Sequence, residues 1–120
     1  CLILSSMGTS LPTILRLQKK LFNKASTIVV KKGHDYNRKQ QLSGDTLFSL
    51  RIAKKLGIVE RDTQSVLVRL GDKVMRLVSL ENPEVSARVT DEKIEDTIID
   101  LINYATYYYA FWLEQKNGDE

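Results

Sequence analysis

The sequence predicts an all-α domain: a compact four-helix unit that assembles as an oligomer. Two observations carry that prediction. Apolar residues recur at three- and four-residue spacing through four segments, and residues able to start or stop helices stand at their ends. The length of 120 residues suits one domain. A monomer of this size hides only about two-thirds of its unfolded surface, so pairing with further copies, as a homodimer or homotetramer, is the expected way to complete the core.

The first helix is expected from Ser10 and Pro12 to about Lys32. Ser10 can cap exposed amides, and proline is tolerated in a first turn. Leu11, Ile14, Leu15, Leu17, Leu21, Phe22 and Ala25 follow at helical spacing, although Thr27 to Val30 would also suit a strand. Gly33 is the expected stop, and residues 33–44 read as a loop. A second helix runs from Asp45 to Leu56 with Gly57 as its terminator. The third covers about Thr63 to Leu80, capped by Asp62 or Thr63. On it Val66, Leu67, Leu70, Val74, Leu77 and Val78 share one arc, and Arg69, Asp72 and Arg76 lie opposite.

Residues 81–89, with Pro83, form a connection before the clearest helix. Thr90 is a good cap, Asp91 and Glu92 suit the positive helix start, and Val89 can staple onto Ile94. Ile94, Ile98, Leu101, Ala105, Tyr108 and Trp112 span about 80° of arc and are expected to face the core. Tyr104, Tyr107, Tyr108 and Tyr109 wrap around the same helix, as suits a subunit interface. The organisation is thus an extension over residues 1–10, a helical domain over 11–115 and a flexible tail over 116–120.

Composition narrows the function classes. Apolar content of 42% and charged content of 28% are those of a globular protein, and no apolar run approaches the ~20 residues of a membrane span. A single cysteine forms no internal disulfide and argues against a cysteine-based metal site, which fits a cytoplasmic protein. The net charge of +3 conceals an asymmetry. Residues 1–60 hold eleven Lys or Arg against three acids, whereas residues 61–120 hold seven against twelve. That dipole suits steering of a phosphate-bearing ligand better than a uniformly basic nucleic-acid surface.

Glu92, Asp96 and Asp100 follow one another at four-residue spacing, and Asn103 and Tyr107 continue the stripe. A solvated helix face explains such a stripe, yet like charges so spaced cost roughly 0.2–0.5 kcal/mol per pair. Mg²⁺ gives a reason to stack them, since it takes oxygen ligands and bridges one or two carboxylates to phosphates. Asp72 is a candidate fourth acid. Lys31, Lys32, Arg38 and Lys39 can neutralise phosphate, Tyr36 can stack on a base and Asn37 can bond a base edge. His34 is the only histidine and has no visible catalytic companion. The chain has no phosphate-cradling glycine-rich loop.

Three blocks extend these readings: Lys32-Gly33-His34-Asp35-Tyr36-Asn37, Leu70-Gly71-Asp72-Lys73-Val74-Met75-Arg76-Leu77, and the run from Asp91 to Ala105. Together they resemble the small helical nucleotide-modification-associated domains of phage and bacterial proteins. Those are similar in turn to the MazG-like all-α nucleoside triphosphate pyrophosphohydrolases. The resemblance covers about residues 11–112 and is most specific in its last block. It implies Glu92, Asp96 and Asp100 as catalytic metal or metal-water ligands, with Asp72 as a further metal-binding acid. It implies Lys32, Asp35 and Tyr36 near substrate, and we add Asn37, Lys73, Arg76 and Asn103 to that binding set. The implied reaction is Mg²⁺-dependent hydrolysis of a nucleoside triphosphate, a deoxynucleotide first among the candidates, to the monophosphate and pyrophosphate. One departure stands out. The MazG-like pattern has a Glu-x-x-Glu pair on the preceding helix, where this chain has Asp72 followed by Arg76; Glu92-x-x-Glu95 has that spacing but sits on the last helix. The alternatives are a non-catalytic nucleotide-binding protein and a helical oligomeric nucleic-acid accessory protein.

Overall fold

A computed structural model describes residues 8–39, 44–86 and 90–118, and within them the side chains of residues 33–39 and 86 are not described. Among the described residues the protein is all helical, with no strand. Three long helices, α1 (Leu11–Lys39), α3 (Asp62–Leu80) and α5 (Asp91–Gly118), carry the architecture. A 3₁₀ turn over Phe48–Arg51 leads into the one-turn α2 (Ile52–Lys55), and a second single turn, α4 (Pro83–Ser86), lies between α3 and α5. None of these helices is long and apolar enough to cross a membrane.

The expected caps form at both long outer helices' starts. The Thr13 amide donates to Ser10 Oγ at 3.3 Å, and the Lys93 amide donates to Thr90 Oγ1 at 3.3 Å. The staple from Val89 lies outside the described residues. At α3 the cap differs from expectation: Gln64 Oε1 reaches back to accept the Glu60 and Arg61 amides at 2.9 Å each, while Asp62 and Thr63 are already inside the helix and buried. Asn82 Oδ1 accepts the Glu84 amide at 3.0 Å at the start of a helical turn within the predicted connection.

Gly57 ends the second helical segment as expected. Its φ is +77°, the Ile58 amide donates to Ala53 O at 2.9 Å, and its own amide donates to Lys54 O at 3.0 Å. That pair of bonds needs a left-handed residue, which glycine supplies without steric cost. The segment itself is shorter than the predicted Asp45–Leu56 helix, because Asp45 accepts the Leu47 amide on its side chain and the Phe48 amide on its carbonyl, starting a turn first. Gly33, in contrast, stops nothing. Helical backbone continues through it to Lys39, so residues 33–39 are not the loop the sequence predicts. One internal glycine costs about 1 kcal/mol against alanine, and a 29-residue helix absorbs that. At the other end α5 runs to Gly118, past the predicted tail boundary.

The arrangement is open rather than the compact bundle expected. α5 is central: α3 packs antiparallel along one side and α1 lies parallel along another, while among the described residues α1 and α3 do not meet. The principal core is a small cluster of Leu47, Val66 and Phe111, edged by Leu50, Leu70, Tyr104, Tyr107, Tyr108 and Ala110. Ala25 and Ile99 are buried where α1 meets α5, and Asn103, also buried, donates its side-chain amide to Ala25 O at 3.3 Å.

This geometry turns α5 away from its predicted orientation. Thr97, Ile99, Asn103 and Phe111 are its buried residues, whereas Ala105 and Trp112 from the predicted core arc are exposed, and Ile94, Ile98, Leu101 and Tyr108 are half-buried. Two neighbours cover two sides of a central helix, and the side they leave open is the apolar one. Likewise on α3, Val66 is buried and Leu70 and Leu77 are half-buried, but Leu67, Val74 and Val78 are exposed.

Candidate functional site

The helices bring part of the predicted site together at one cleft. Lys32 from α1, Thr46, Ser49 and Leu50 from the turn before α2, and Asp100, Asn103, Tyr104 and Tyr107 from α5 line a space of about 70 Å³. At this level Lys73 Nζ from α3 lies 2.9 Å from Asp100 Oδ2, with both side chains about 30% exposed. Four predicted residues, Lys32, Lys73, Asp100 and Asn103, thereby converge from three helices. Asn103 is held by its bond to Ala25 O, and Tyr104 meets Tyr107 edge to face at a centroid distance of 6.0 Å. Both tyrosines, with Tyr108, are partly buried against the edge of the core. Tyr109 instead stacks on Trp112, its ring planes 10° apart.

The acidic stripe divides between two places. Glu92 and Asp96 are exposed, and with Glu95 they line a groove of about 590 Å³ between α1 and α5, facing Asn23, Lys24, Thr27 and Ile28. Glu95, which lies off the predicted stripe, is the acid here that finds cations. It pairs with Lys24 and with Lys20 at 3.5 Å, and the Lys24 hydrogen bond holds its carboxyl below the usual range. Asp72 and Arg76 are exposed on α3 and line neither space. Among the described residues no three of His, Cys, Asp and Glu come close enough to hold a metal ion, so Asp72, Glu92, Asp96 and Asp100 do not form one set of ligands. The cause is visible in the helix packing: Asp100 faces Lys73, while Asp72, one residue earlier on α3, points about 100° away. Asp35, Tyr36 and Asn37 stand on the last turns of α1, and their side chains lie outside the described residues.

A second charged centre had no signal in residue spacing. The Arg51 guanidinium makes two 2.8 Å bonds to the Glu114 carboxylate, bonds Asp45, and stands 3.8 Å from Asp62. Its carbon lies 5.0 Å from the Phe111 ring centroid, so the cation also covers the core. The Arg51 hydrogen bonds hold Asp45 and Glu114 below ordinary carboxylate pKa values; Glu114 first and Asp45 second push the guanidinium further up. Asp62 is buried, and its Oδ1 has no hydrogen-bond partner among the described residues. This hub ties the turn before α2 and the start of α3 to the end of α5. No family model, curated protein or solved structure matches the chain.

Proposed function

We propose that the chain binds a nucleoside triphosphate, a deoxynucleotide first among the candidates, and hydrolyses it to the monophosphate and pyrophosphate. One observation carries the reading: Lys32, Asp100 and Asn103, about 70 positions apart at the extremes, line one cleft, and Lys73 bonds the Asp100 that lines it. The resemblance of the surrounding blocks to nucleotide-modification-associated and MazG-like domains supports the choice of substrate.

The cleft has room for a phosphoryl group. Lys32 at its rim can take phosphate charge, and Lys73 holds Asp100 oriented until phosphate competes for the ammonium. The freed carboxylate can then align a water for attack on the α-phosphorus, with pyrophosphate leaving. The hydroxyls of Thr46 and Ser49 add donors for phosphate oxygens. Mg²⁺ enters this reading as the nucleotide's own counterion, held by phosphate oxygens with one or two carboxylates. Among the described residues the acids do not form a cage by themselves.

Pyrophosphate release from a panel of canonical and modified nucleoside triphosphates, with Mg²⁺ and with chelator, tests the proposal. Release that requires Mg²⁺ and falls at least about 100-fold in Asp100→Asn, with helicity unchanged, is the expected outcome. The absence of a metal-holding cluster among the described residues favours a second reading, a nucleotide-binding protein without turnover. Binding of nucleotide with no release, and with affinity lost in Lys73→Ala, would select it.

A further inference from the structure

We infer that the uncovered face of α5 and α3 docks against a second copy of this chain, with the two α5 helices antiparallel about a two-fold axis level with residue 103. The proposal stands on packing and is independent of the nucleotide reading. At 100° per residue, α5 meets α1 through Glu95, Ile99 and Asn103 and meets α3 through Asp100, Tyr104 and Phe111. The remaining sector holds Ile94, Ile98, Leu101, Ala105, Tyr108 and Trp112. None is buried, and Trp112 is 43% exposed. On α3 the residues left uncovered beside its contact with α5 are Leu67, Val74, Met75 and Val78, again apolar. Because α3 and α5 run antiparallel, their opposite angular offsets bring both apolar sectors to the same side of the pair, away from α1.

The α5 seam has spacings of four, three, four, three and four, the 3.5-residue repeat that keeps a seam facing a partner helix. That series reads the same in both directions. An antiparallel second copy therefore sets Ile94 opposite Trp112, Ile98 opposite Tyr108 and Leu101 opposite Ala105, a bulky residue against the small one at the axis. The same register brings Asp91 beside Lys116, the charges that bound the seam, so unlike charges meet at both ends. On α3, Gly71 has nothing within 4 Å of where a Cβ would stand, which leaves room for a neighbouring backbone. A partner of unrelated sequence would have no reason to match this register; a copy matches it by symmetry.

The surface area agrees. The chain exposes 9300 Å², against about 6,600 Å² for a compact monomer of its mass. The surplus exceeds the roughly 800 Å² per partner that a stable interface buries.

Sedimentation of the full chain at tens of micromolar, compared with Ala105→Glu, tests the docking. The expected wild-type mass is twice 13.7 kDa, and the variant dissociates at least about 100-fold more readily because two carboxylates meet at the axis. A second variant guards against misfolding of the first: Cys1→Ser with Leu101→Cys and Ala105→Cys, oxidised, yields a covalent dimer joining position 101 of one copy to position 105 of the other. A wild-type monomer, a dimer that Ala105→Glu leaves intact, or cross-linking in a different register overturns the proposal, and so does a stable one-to-one complex with an unrelated protein on this face.

Discussion

Arg51 bears more of the fold's polar energetics than any other residue described. It serves Asp45, Asp62 and Glu114 from a position only 22% exposed, with Phe111 beneath it. Arg51→Ala removes the cation these carboxylates share and leaves Asp45 and Glu114 only the weaker influence of Lys55 and Lys54. Arg51 and Asp45 are only partly buried and Glu114 is half exposed, so the expected loss lies between that of a surface pair and that of a buried one, about 2 kcal/mol, measurable by urea unfolding. The pH dependence follows from the sign of the shifts. Asp45 and Glu114 have folded pKa values below their unfolded ones, so their stabilisation is complete above the ordinary carboxylate pKa of about 4 and is lost as pH falls through the depressed folded values. The gap in stability between wild type and Arg51→Ala should therefore shrink below pH 4. Equal destabilisation at pH 3 and pH 7 would contradict the assignment. No sequence pattern exposed this hub, since its partners lie 6, 11 and 63 positions away.

Among the elements, helix ends were legible and helix orientations were not. Ser10, Gly57 and Thr90 act locally, through bonds reaching at most five residues, so their roles follow from neighbouring sequence. Gly57→Ala should cost about 1–2 kcal/mol, the penalty for a left-handed alanine, because nothing stands within 4 Å of the added carbon to clash or to pack. Urea unfolding with an unchanged denaturant slope would show that cost to be a backbone effect. Gly33 has the same chemistry but sits where helical residues continue on both sides, and there the helix wins. On α5 the period-based reading found the apolar arc correctly but assigned it to the monomer's core. Periodicity identifies which residues share a face; it carries no information on which face a distant helix covers.

The whole molecule is a central helix flanked on two sides, with a radius of gyration of 17.7 Å against about 13.6 Å for a compact chain of this length. A chain that leaves this much apolar surface open gains stability from association by mass action. Its thermal midpoint should rise by several degrees between about 1 and 100 µM wild-type chain and stay constant in Ala105→Glu, as scanning calorimetry would register. A concentration-independent midpoint in the wild type would argue that the monomer is stable alone. The acids of the stripe are split because four-residue steps drift by about 40° around the helix: Asp100 turns into the α3 contact, while Glu92 and Asp96 face α1.

The sequence by itself determined the all-helical class, the starts of the first and last long helices, the Gly57 stop and the membership of each helical face. All of these depend on interactions within a few residues or on the fixed 3.6-residue turn. Tertiary structure alone decided that Lys73 meets Asp100, that Arg51 gathers three acids, and that the apolar arc of α5 remains open while its polar stripe is partly enclosed. Those outcomes depend on where distant helices come to lie, and the energy that settles their placement is summed over the packed surfaces rather than written in any local run of residues.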